Sequence, residues 1–262
     1  DHGACVNDFT RAARTRPSEM GDAQSCIMGS KSGLLHFSRG LHKRKFRSTK
    51  PLFFTRDETC GTLPLPFERG SSMTSKPQVT ALNLPPMDPL PEATQKYFDV
   101  CEEKLGMVPN VLQAHAFDVE KLDAFSGIYN SLMLAPSGLS KLEREMIAVV
   151  VSSVNRCFYC LTAHGAAIRA LSKDPILGEM IVMNYRSAPL DPRQRAMLDF
   201  AEKITKNSSE IEEVDRQTLR DVGFSDRDIW DIANVAGFFN MTNRVASAVD
   251  MRPNDDYHAQ SR

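Results

Sequence analysis

The sequence lacks several features that would point to a particular class of protein. Six cysteines in 262 residues are too few for a disulfide scaffold. A membrane-spanning helix needs roughly 18 consecutive apolar residues, and the longest apolar run here covers only residues 146–151. A formal net charge of −1 gives no electrostatic reason to expect a nucleic-acid partner. No Gly-rich phosphate-binding loop is present, so we expect no nucleotide or other cofactor.

The charge that is present is divided unevenly along the chain. Residues 1–74 carry an excess of basic side chains and show no hydrophobic period, whereas residues 75–262 are acidic on balance and helical in pattern. We therefore predict a disordered N-terminal extension over residues 1–74 and a folded helical domain over residues 75–262. Because residues 26–56 contain no acidic side chain, a targeting segment is an alternative for the extension, as is translated sequence upstream of Met73. We otherwise expect a cytoplasmic protein.

Helical patterns dominate the second part of the chain. Apolar residues recur at helical spacing over residues 93–105, 110–115 and 119–134. Capping signals begin three later helices, at Ser140 with Glu143, at Asp191 with Gln194 and at Ser225 with Asp228. The run over residues 146–151 has the length of a strand or a buried helix segment, but no second run of this kind exists to pair with it. The sequence therefore predicts an all-α domain in which this run is a buried helix.

The segment whose side chains could carry out chemistry runs from Cys157 through Cys160 to His164. Two cysteines three residues apart on a helix share one face, where they can form a reversible disulfide and lower a thiol pKa. His164 follows Cys160 by one turn, and an imidazole there can accept the thiol proton. This spacing favours Cys160 as the attacking thiol. The competing expectation is that the first cysteine, nearer the helix N-terminus, is the better nucleophile.

Other interpretations of the cysteine pair stay open at this point. A zinc ribbon needs a second cysteine pair, and covalent haem attachment needs histidine directly after the second cysteine; the chain has neither. A metal site formed by Cys157, Cys160 and His164 is compatible with the segment. So are a thioredoxin fold, which would require further strands, and a pair of buried structural cysteines.

The wider pattern resembles a known family. Glu145, eleven residues, Cys157 and Cys160, three residues and His164 form a pattern similar to the alkylhydroperoxidase D-like core of the carboxymuconolactone decarboxylase superfamily. The stretches over residues 144–167 and 238–254 are similar to its peroxidase-related branch. The resemblance covers about residues 75–258 and leaves the N-terminal extension out.

The resemblance implies an all-α, alkylhydroperoxidase D-like helical bundle that assembles into homo-oligomers and reduces a hydroperoxide with electrons from a dithiol or a thiol protein. By motif position, Cys160 is the attacking thiol and Cys157 resolves it, while His164 and Glu145 relay the proton. No metal is implied. Founding members carry a second histidine before the second cysteine, where this chain has Tyr159. Tyrosine titrates near pH 10 and is therefore the poorer proton acceptor at neutral pH.

Two physical expectations accompany this assignment. On one straight helix, Glu145 and Cys160 would lie about 22 Å apart, so a relay requires a break in the chain, which we expect over residues 152–156. The apolar residues of the last long helix add more apolar surface than one small bundle obviously buries, namely Phe238, Phe239, Trp230 and Met241. This also indicates a homo-oligomer.

A second class of function is compatible with the same residues. It is a non-catalytic helical oligomer whose cysteine pair senses redox state or binds a metal, and a general protein-disulfide reductase is a further alternative. Turnover of a hydroperoxide in the presence of a dithiol distinguishes the peroxidase from all of these.

Overall fold

The structure, a computed structural model, describes residues 78–262, and the predicted extension over residues 1–74 lies outside this range. The helices of the described part are α1 (Glu92–Leu105), α2 (Asn110–His115), α3 (Val119–Tyr129), α4 (Lys141–Asn155), α5 (Phe158–Ser172), α6 (Pro175–Asn184), α7 (Pro192–Asn207), α8 (Glu213–Asp221), α9 (Asp226–Ala248) and α10 (Asp256–Ala259). A π-helical turn covers Asn130–Leu134. Since residues 78–262 contain no strand, the predicted all-α fold is confirmed. None of these helices has the length and apolar composition that crossing a bilayer needs.

Helix α4 forms the centre of the domain and packs against α5, α6, α7 and α9. The side chains of residues 146–151 are at most 1% exposed, so the predicted buried helix is confirmed. Three consecutive valines at residues 149–151 are stiff, β-branched and poor helix formers. Burial outweighs that preference, because each fully buried aliphatic side chain contributes about 1.5–3 kcal/mol.

Reciprocal capping hydrogen bonds fix where α4, α7 and α9 begin. At α4, the Ser140 hydroxyl accepts the Glu143 N–H (3.1 Å), and the Glu143 carboxylate accepts the Ser140 N–H (2.7 Å). The same arrangement occurs at α7, with Asp191 and Gln194, and at α9, with Ser225 and Asp228. All three predicted helix starts are therefore confirmed.

Two residues, Arg156 and Cys157, separate α4 from α5, and the chain turns at Arg156. The backbone of Arg156 lies in the left-handed region, with φ of 55° and ψ of 38°. The Cys157 N–H then bonds to the carbonyl of Ser152 (3.0 Å), which completes the helix C-terminus. The expected break over residues 152–156 is thus confirmed at its last residue, and α5 packs back against α4.

The helix expected over residues 119–134 is not regular along its length. The α-helical pattern ends at Tyr129, and the π-helical turn follows, closed by a bond from the Ala135 N–H to the Asn130 carbonyl (3.0 Å). A π turn inserts one extra residue without interrupting the helix. Apolar residues nevertheless occur at near-helical spacing on both sides of the turn, so the sequence pattern does not reveal it.

The apolar surface of α9 differs from the expectation. Phe238 and Phe239 are 6% and 2% exposed, so the expectation that they add surplus apolar surface is wrong. They pack against each other edge to face within the core. Trp230 and Met241, on the same helix, are 67% and 49% exposed. The exposed large apolar side chains of α9 are therefore these two and Val245, which is 44% exposed.

Candidate active site

The cysteine pair lies at the N-terminus of α5. Cys157 is the N-cap, and its Sγ accepts the Cys160 N–H (3.4 Å). The two Sγ atoms are 2.9 Å apart, and both thiols are free and buried. The pair can therefore exchange a proton directly, and on two-electron oxidation a small approach of the sulfurs would allow a disulfide bond.

Glu145 and His164 form a hydrogen-bonded pair across the contact between α4 and α5. The distance from Glu145 Oε2 to His164 Nδ1 is 2.7 Å. Because a carboxylate oxygen only accepts, Nδ1 carries the proton and Nε2 is left to accept another. The ring of Phe239 packs edge-on against the imidazole, with 4.6 Å between the ring centroids. The pair is thus an oriented base, of the kind that activates a nucleophile.

The two thiols lie in different electrostatic surroundings. A hydrogen bond from the Cys160 thiol, together with the Cys160 backbone N–H, the Ser247 side chain and the nearby His164, lowers the pKa of Cys157 to about 7. The neighbouring Cys157 sulfur, together with burial, raises the pKa of Cys160. At neutral pH the negative charge of the pair therefore resides first on Cys157, at the helix N-terminus.

Although negative charge is favoured at Cys157, it is Cys160 that a ligand can reach. A cavity of about 250 Å³ lies between the first five helices and α9, and its wall includes Cys160, His164 and Glu145 but not Cys157. An attacking sulfur must contact the reacting atom of its substrate. Since one hydrogen bond joins the two sulfurs, the proton of Cys160 can pass to Cys157 as attack begins. Access therefore decides the assignment, and it favours Cys160.

Two polar side chains that sequence interpretation missed bind the Cys160 sulfur. Ser152 and Asn243 are fully buried, and their hydrogen bonds to Cys160 lower its pKa against the opposing effects. Asn243 Nδ2 also donates to Ser152 Oγ (2.9 Å), and Asn243 Oδ1 accepts from Asn155 Nδ2 (3.0 Å). The sequence did contain a signal for Asn243, because an asparagine stands within the apolar stretch of α9. An asparagine side chain in a helix tends to compete for backbone hydrogen bonds, so its presence there indicates a side-chain partner.

Tyr159 lies in the cavity wall but does not act as a proton acceptor. Its hydroxyl oxygen accepts the Val111 N–H (3.0 Å) and its side chain hydrogen bonds to Tyr257. Burial raises the pKa of Tyr159 well above its ordinary value. The residue that replaces the second histidine therefore connects α2 to α5.

Hydrogen bonds connect the C-terminal segment to helices α2 and α5, which form part of the cavity wall. Asn254 Oδ1 accepts the Asn110 N–H at the start of α2 (2.7 Å). Arg169, buried on α5, donates to the carbonyls of Tyr257 (2.7 Å) and Gln260 (3.0 Å). These bonds attach the chain end, which contributes Tyr257 to the cavity wall, to the helix that carries the cysteines.

Metal ligation was one of the open alternatives. Over residues 78–262, no group of three or more His, Cys, Asp or Glu side chains is arranged to hold a metal ion, and this includes Cys157, Cys160 and His164.

We predict that Asn243→Ala slows the reaction of Cys160 on the order of 10-fold, because one hydrogen bond to the thiolate is lost. Asn240→Ala is the matched control, since Asn240 bonds to Asn155 and Thr205 (3.0 and 3.1 Å) but not to the sulfur. Iodoacetamide labelling of Cys160, followed by mass spectrometry, measures the rate. Equal slowing in both variants would contradict the assignment of Asn243 to the sulfur.

Comparison with known proteins places the chain in a family. The family model described as the carboxymuconolactone decarboxylase family matches residues 120–176, the part that contains Glu145, both cysteines and His164. No curated protein matches the chain.

Solved structures extend the match to the described domain. An uncharacterized peroxidase-related protein from Silicibacter sp. TM1040 is 72% identical, over 72% of this chain and 100% of that chain, with a TM-score of 0.70. An uncharacterized peroxidase-related protein from Ralstonia eutropha JMP134, described as an alkylhydroperoxidase AhpD core, is 41% identical over 71% and 97% of the two chains, with a TM-score of 0.68. The debrominase Bmp8, in complex with 2,3,4-tribromopyrrole, is 18% identical over 68% and 95%, with a TM-score of 0.58, and shares the fold alone.

The two peroxidase-related proteins are matched over nearly their whole length at identities that only members of one family share. Together with the family model and the all-helical fold, they confirm the resemblance seen in the sequence: the chain belongs to the carboxymuconolactone decarboxylase and alkylhydroperoxidase D-like superfamily.

Proposed function

We propose that the protein is a thiol-dependent peroxidase that reduces organic hydroperoxides through Cys160 and Cys157. The observation that carries the proposal is the position of Cys160 and of the Glu145–His164 pair on the wall of one cavity. A nucleophile, an oriented base and a space for substrate are the three parts that such chemistry needs. The peroxidase-related descriptions of the similar proteins support it.

The reaction begins at the Cys160 sulfur. His164 Nε2 or the Cys157 thiolate takes the thiol proton, and the Cys160 thiolate attacks the terminal oxygen of the hydroperoxide. The S–O bond forms, the O–O bond breaks, and the alkoxide leaves with a proton as the alcohol. Cys160 is then a sulfenic acid, oxidised by two electrons.

Cys157 completes the cycle. Its thiolate attacks the sulfenic sulfur of Cys160, the S–S bond forms, and the hydroxide leaves with a proton as water. A dithiol or a thiol protein then reduces the disulfide by thiol exchange. A cycle of this kind needs a reducing compartment, which supports a cytoplasmic location.

The exposed face of α9 supports the homo-oligomer that we propose as the working form. Trp230, Met241 and Val245 are all exposed on this one helix. Large apolar side chains of this kind are typical of surfaces that a second subunit covers. We propose a dimer of the chain as the smallest assembly.

The roles of the two cysteines predict different outcomes for their serine variants. Cys160→Ser should abolish peroxide reduction, whereas Cys157→Ser should accumulate a sulfenic acid at Cys160 without turnover. Dimedone labelling and a peroxide-consumption assay with dithiothreitol measure both. A sulfenic acid on Cys157 in the Cys160→Ser protein would reverse the assignment. Oxidation of the wild type without turnover would favour a redox sensor, and reduction of oxidised insulin without peroxide would favour a disulfide reductase.

The oriented base predicts a loss of rate in both relay variants. His164→Ala and Glu145→Gln should each slow the first oxidation on the order of 10²-fold, because a general base contributes about that much. Glu143→Gln is the matched control: Glu143 is also a buried carboxylate on α4, but it pairs with Arg193 (3.1 Å) away from the cysteines. Stopped-flow measurement of single-turnover oxidation gives the rate. Unchanged rates in both relay variants would refute the proposed proton relay.

The lowered pKa of Cys157 predicts the pH dependence of the pair. Above pH 7 the pair should carry one negative charge, which is lost as the pH falls through about 7. An ordinary thiol would titrate near pH 8.5. Cys160→Ala removes the hydrogen-bond donor and should move the midpoint upward. The ultraviolet absorbance of the thiolate gives the midpoint without needing access to the sulfur, and an identical midpoint in both proteins would refute the coupling.

A further inference from the structure

Asn155 is a polar residue that the peroxidase steps do not use. It ends α4, two residues before Cys157, and its Nδ2 lies 3.0 Å from both Asn240 Oδ1 and Asn243 Oδ1 on α9. Asn243 is fully buried and hydrogen bonds to the Cys160 sulfur. Asn155 is therefore bonded directly to a side chain that contacts the attacking thiol.

The direction of the Asn243 amide decides what it does for this sulfur. A side-chain amide stabilises a thiolate only through its N–H groups, because its oxygen accepts hydrogen bonds and repels a negative charge. The two ends of a primary amide have nearly the same size and shape. Packing therefore does not select the direction, and the hydrogen-bond partners of Asn243 must do so.

One of these partners is Ser152. Its hydroxyl donates to the Ala148 carbonyl (2.6 Å), which only accepts, so the hydroxyl oxygen is left to accept from Asn243 Nδ2 (2.9 Å). A hydroxyl rotates readily, however, and it must leave this carbonyl in order to donate to the Cys160 sulfur. Ser152 therefore favours the observed direction of the Asn243 amide but does not enforce it.

The other partner, Asn155, presents only its nitrogen. Asn240 Oδ1 accepts from the guanidinium of Arg244 (2.7 Å), which only donates, while Asn240 Nδ2 donates to the Ala236 carbonyl (3.0 Å). The Asn155 amide must turn its nitrogen toward this oxygen, and the same nitrogen donates to Asn243 Oδ1. This bond holds the oxygen of the Asn243 amide and leaves the amide nitrogen to face the sulfur.

We propose that Asn155 is a positioning residue for the attacking thiol: it holds the Asn243 amide with its N–H groups toward Cys160, so that the thiolate has a donor as it forms. The proposal rests on the proposed function only in taking Cys160 as the attacking thiol. Because Asn155 does not line the cavity, it acts on the reaction through Asn243 rather than by touching the substrate.

The substitution Asn155→Asp reverses the hydrogen bond with almost no change in shape. The new carboxylate only accepts, so the Asn243 amide should turn its nitrogen toward it and its oxygen toward the sulfur. The Cys160 thiolate then loses a donor and faces an acceptor. We expect the alkylation of Cys160 at neutral pH to slow on the order of 10-fold, at least as much as in Asn243→Ala.

The pH profile of Cys160 alkylation tests the proposal without any peroxide chemistry. All proteins are the full chain with Cys157→Ser, so that Cys160 titrates without its neighbouring thiol, and mass spectrometry quantifies iodoacetamide labelling at Cys160. Asn155→Asp should raise the midpoint of the profile by about one pH unit, which corresponds to a tenfold change. The limiting rate at high pH should change much less, because it depends on access to the sulfur.

A double-mutant cycle separates the charge of the new carboxylate from its hydrogen bonding. On the Asn243→Ala background, Asn155→Asp still adds the charge but has no amide to turn, so most of the shift in midpoint should disappear. Asn155→Leu removes the donor without adding charge. It should raise the midpoint in the same direction by a smaller amount, and it provides the measurement if Asn155→Asp does not fold.

Asn234→Asp is the matched control. It makes the same substitution on α9, at a residue whose amide donates to the Trp230 carbonyl (2.8 Å) rather than to the side chains around the sulfur. It should leave the midpoint unchanged. The remaining titratable side chains around the sulfur are the same in all of these proteins, namely His164, Glu145 and Tyr159.

Two outcomes would overturn the proposal. The first is an unchanged midpoint in Asn155→Asp or Asn155→Leu, including the case in which only the limiting rate falls, since that result assigns Asn155 a structural role between α4 and α9. The second is an equal shift with and without Asn243. If the midpoint shifts as expected while the wild type turns over no hydroperoxide, the peroxidase fails and the positioning role stands. An active peroxidase with an unmoved midpoint rejects the positioning role alone.

Discussion

The hydrogen bond between Glu145 and His164 is the contact on which the site depends. Glu145 lies on the most deeply buried helix of the domain, and a carboxylate is tolerated there only with a partner. That partner comes from α5, which returns against α4 because Arg156 leaves the right-handed conformation. The Glu145–His164 hydrogen bond therefore depends both on the packing of α4 in the core and on the break between α4 and α5. A change in either one would also change the orientation of the imidazole.

The cysteine pair separates two requirements that a single thiol would have to meet together. Charge is best stabilised at Cys157, where the helix N-terminus and a hydrogen bond support a thiolate. Contact with a ligand is possible at Cys160, which lines the cavity. The short distance between the sulfurs connects the two functions through one shared proton, while Ser152 and Asn243 hold the accessible sulfur in position.

Local sequence signals predicted the helix starts and the break before Cys157, because each depends on residues within one or two turns. Glu145 required the family resemblance, since its partner is distant in sequence. Asn243 and the cavity were missed because they arise where α9 packs on α4 and α5, which no spacing in the chain records. The opposite exposures of Phe239 and Trp230, both aromatic residues on α9, likewise follow from which face meets the core.

The cap that Cys157 provides for α5 links the redox state of the pair to the stability of a helix. In the reduced state, a Cys157 sulfur carrying negative charge accepts the Cys160 N–H in the first turn of α5 and faces the positive end of the helix dipole. Oxidation to the disulfide removes that charge, so the helix loses its anionic cap. Whatever stabilises the dithiol form relative to the disulfide makes the couple more oxidising. An anionic cap at Cys157 therefore favours return to the dithiol, the state in which the proposed reaction cycle begins.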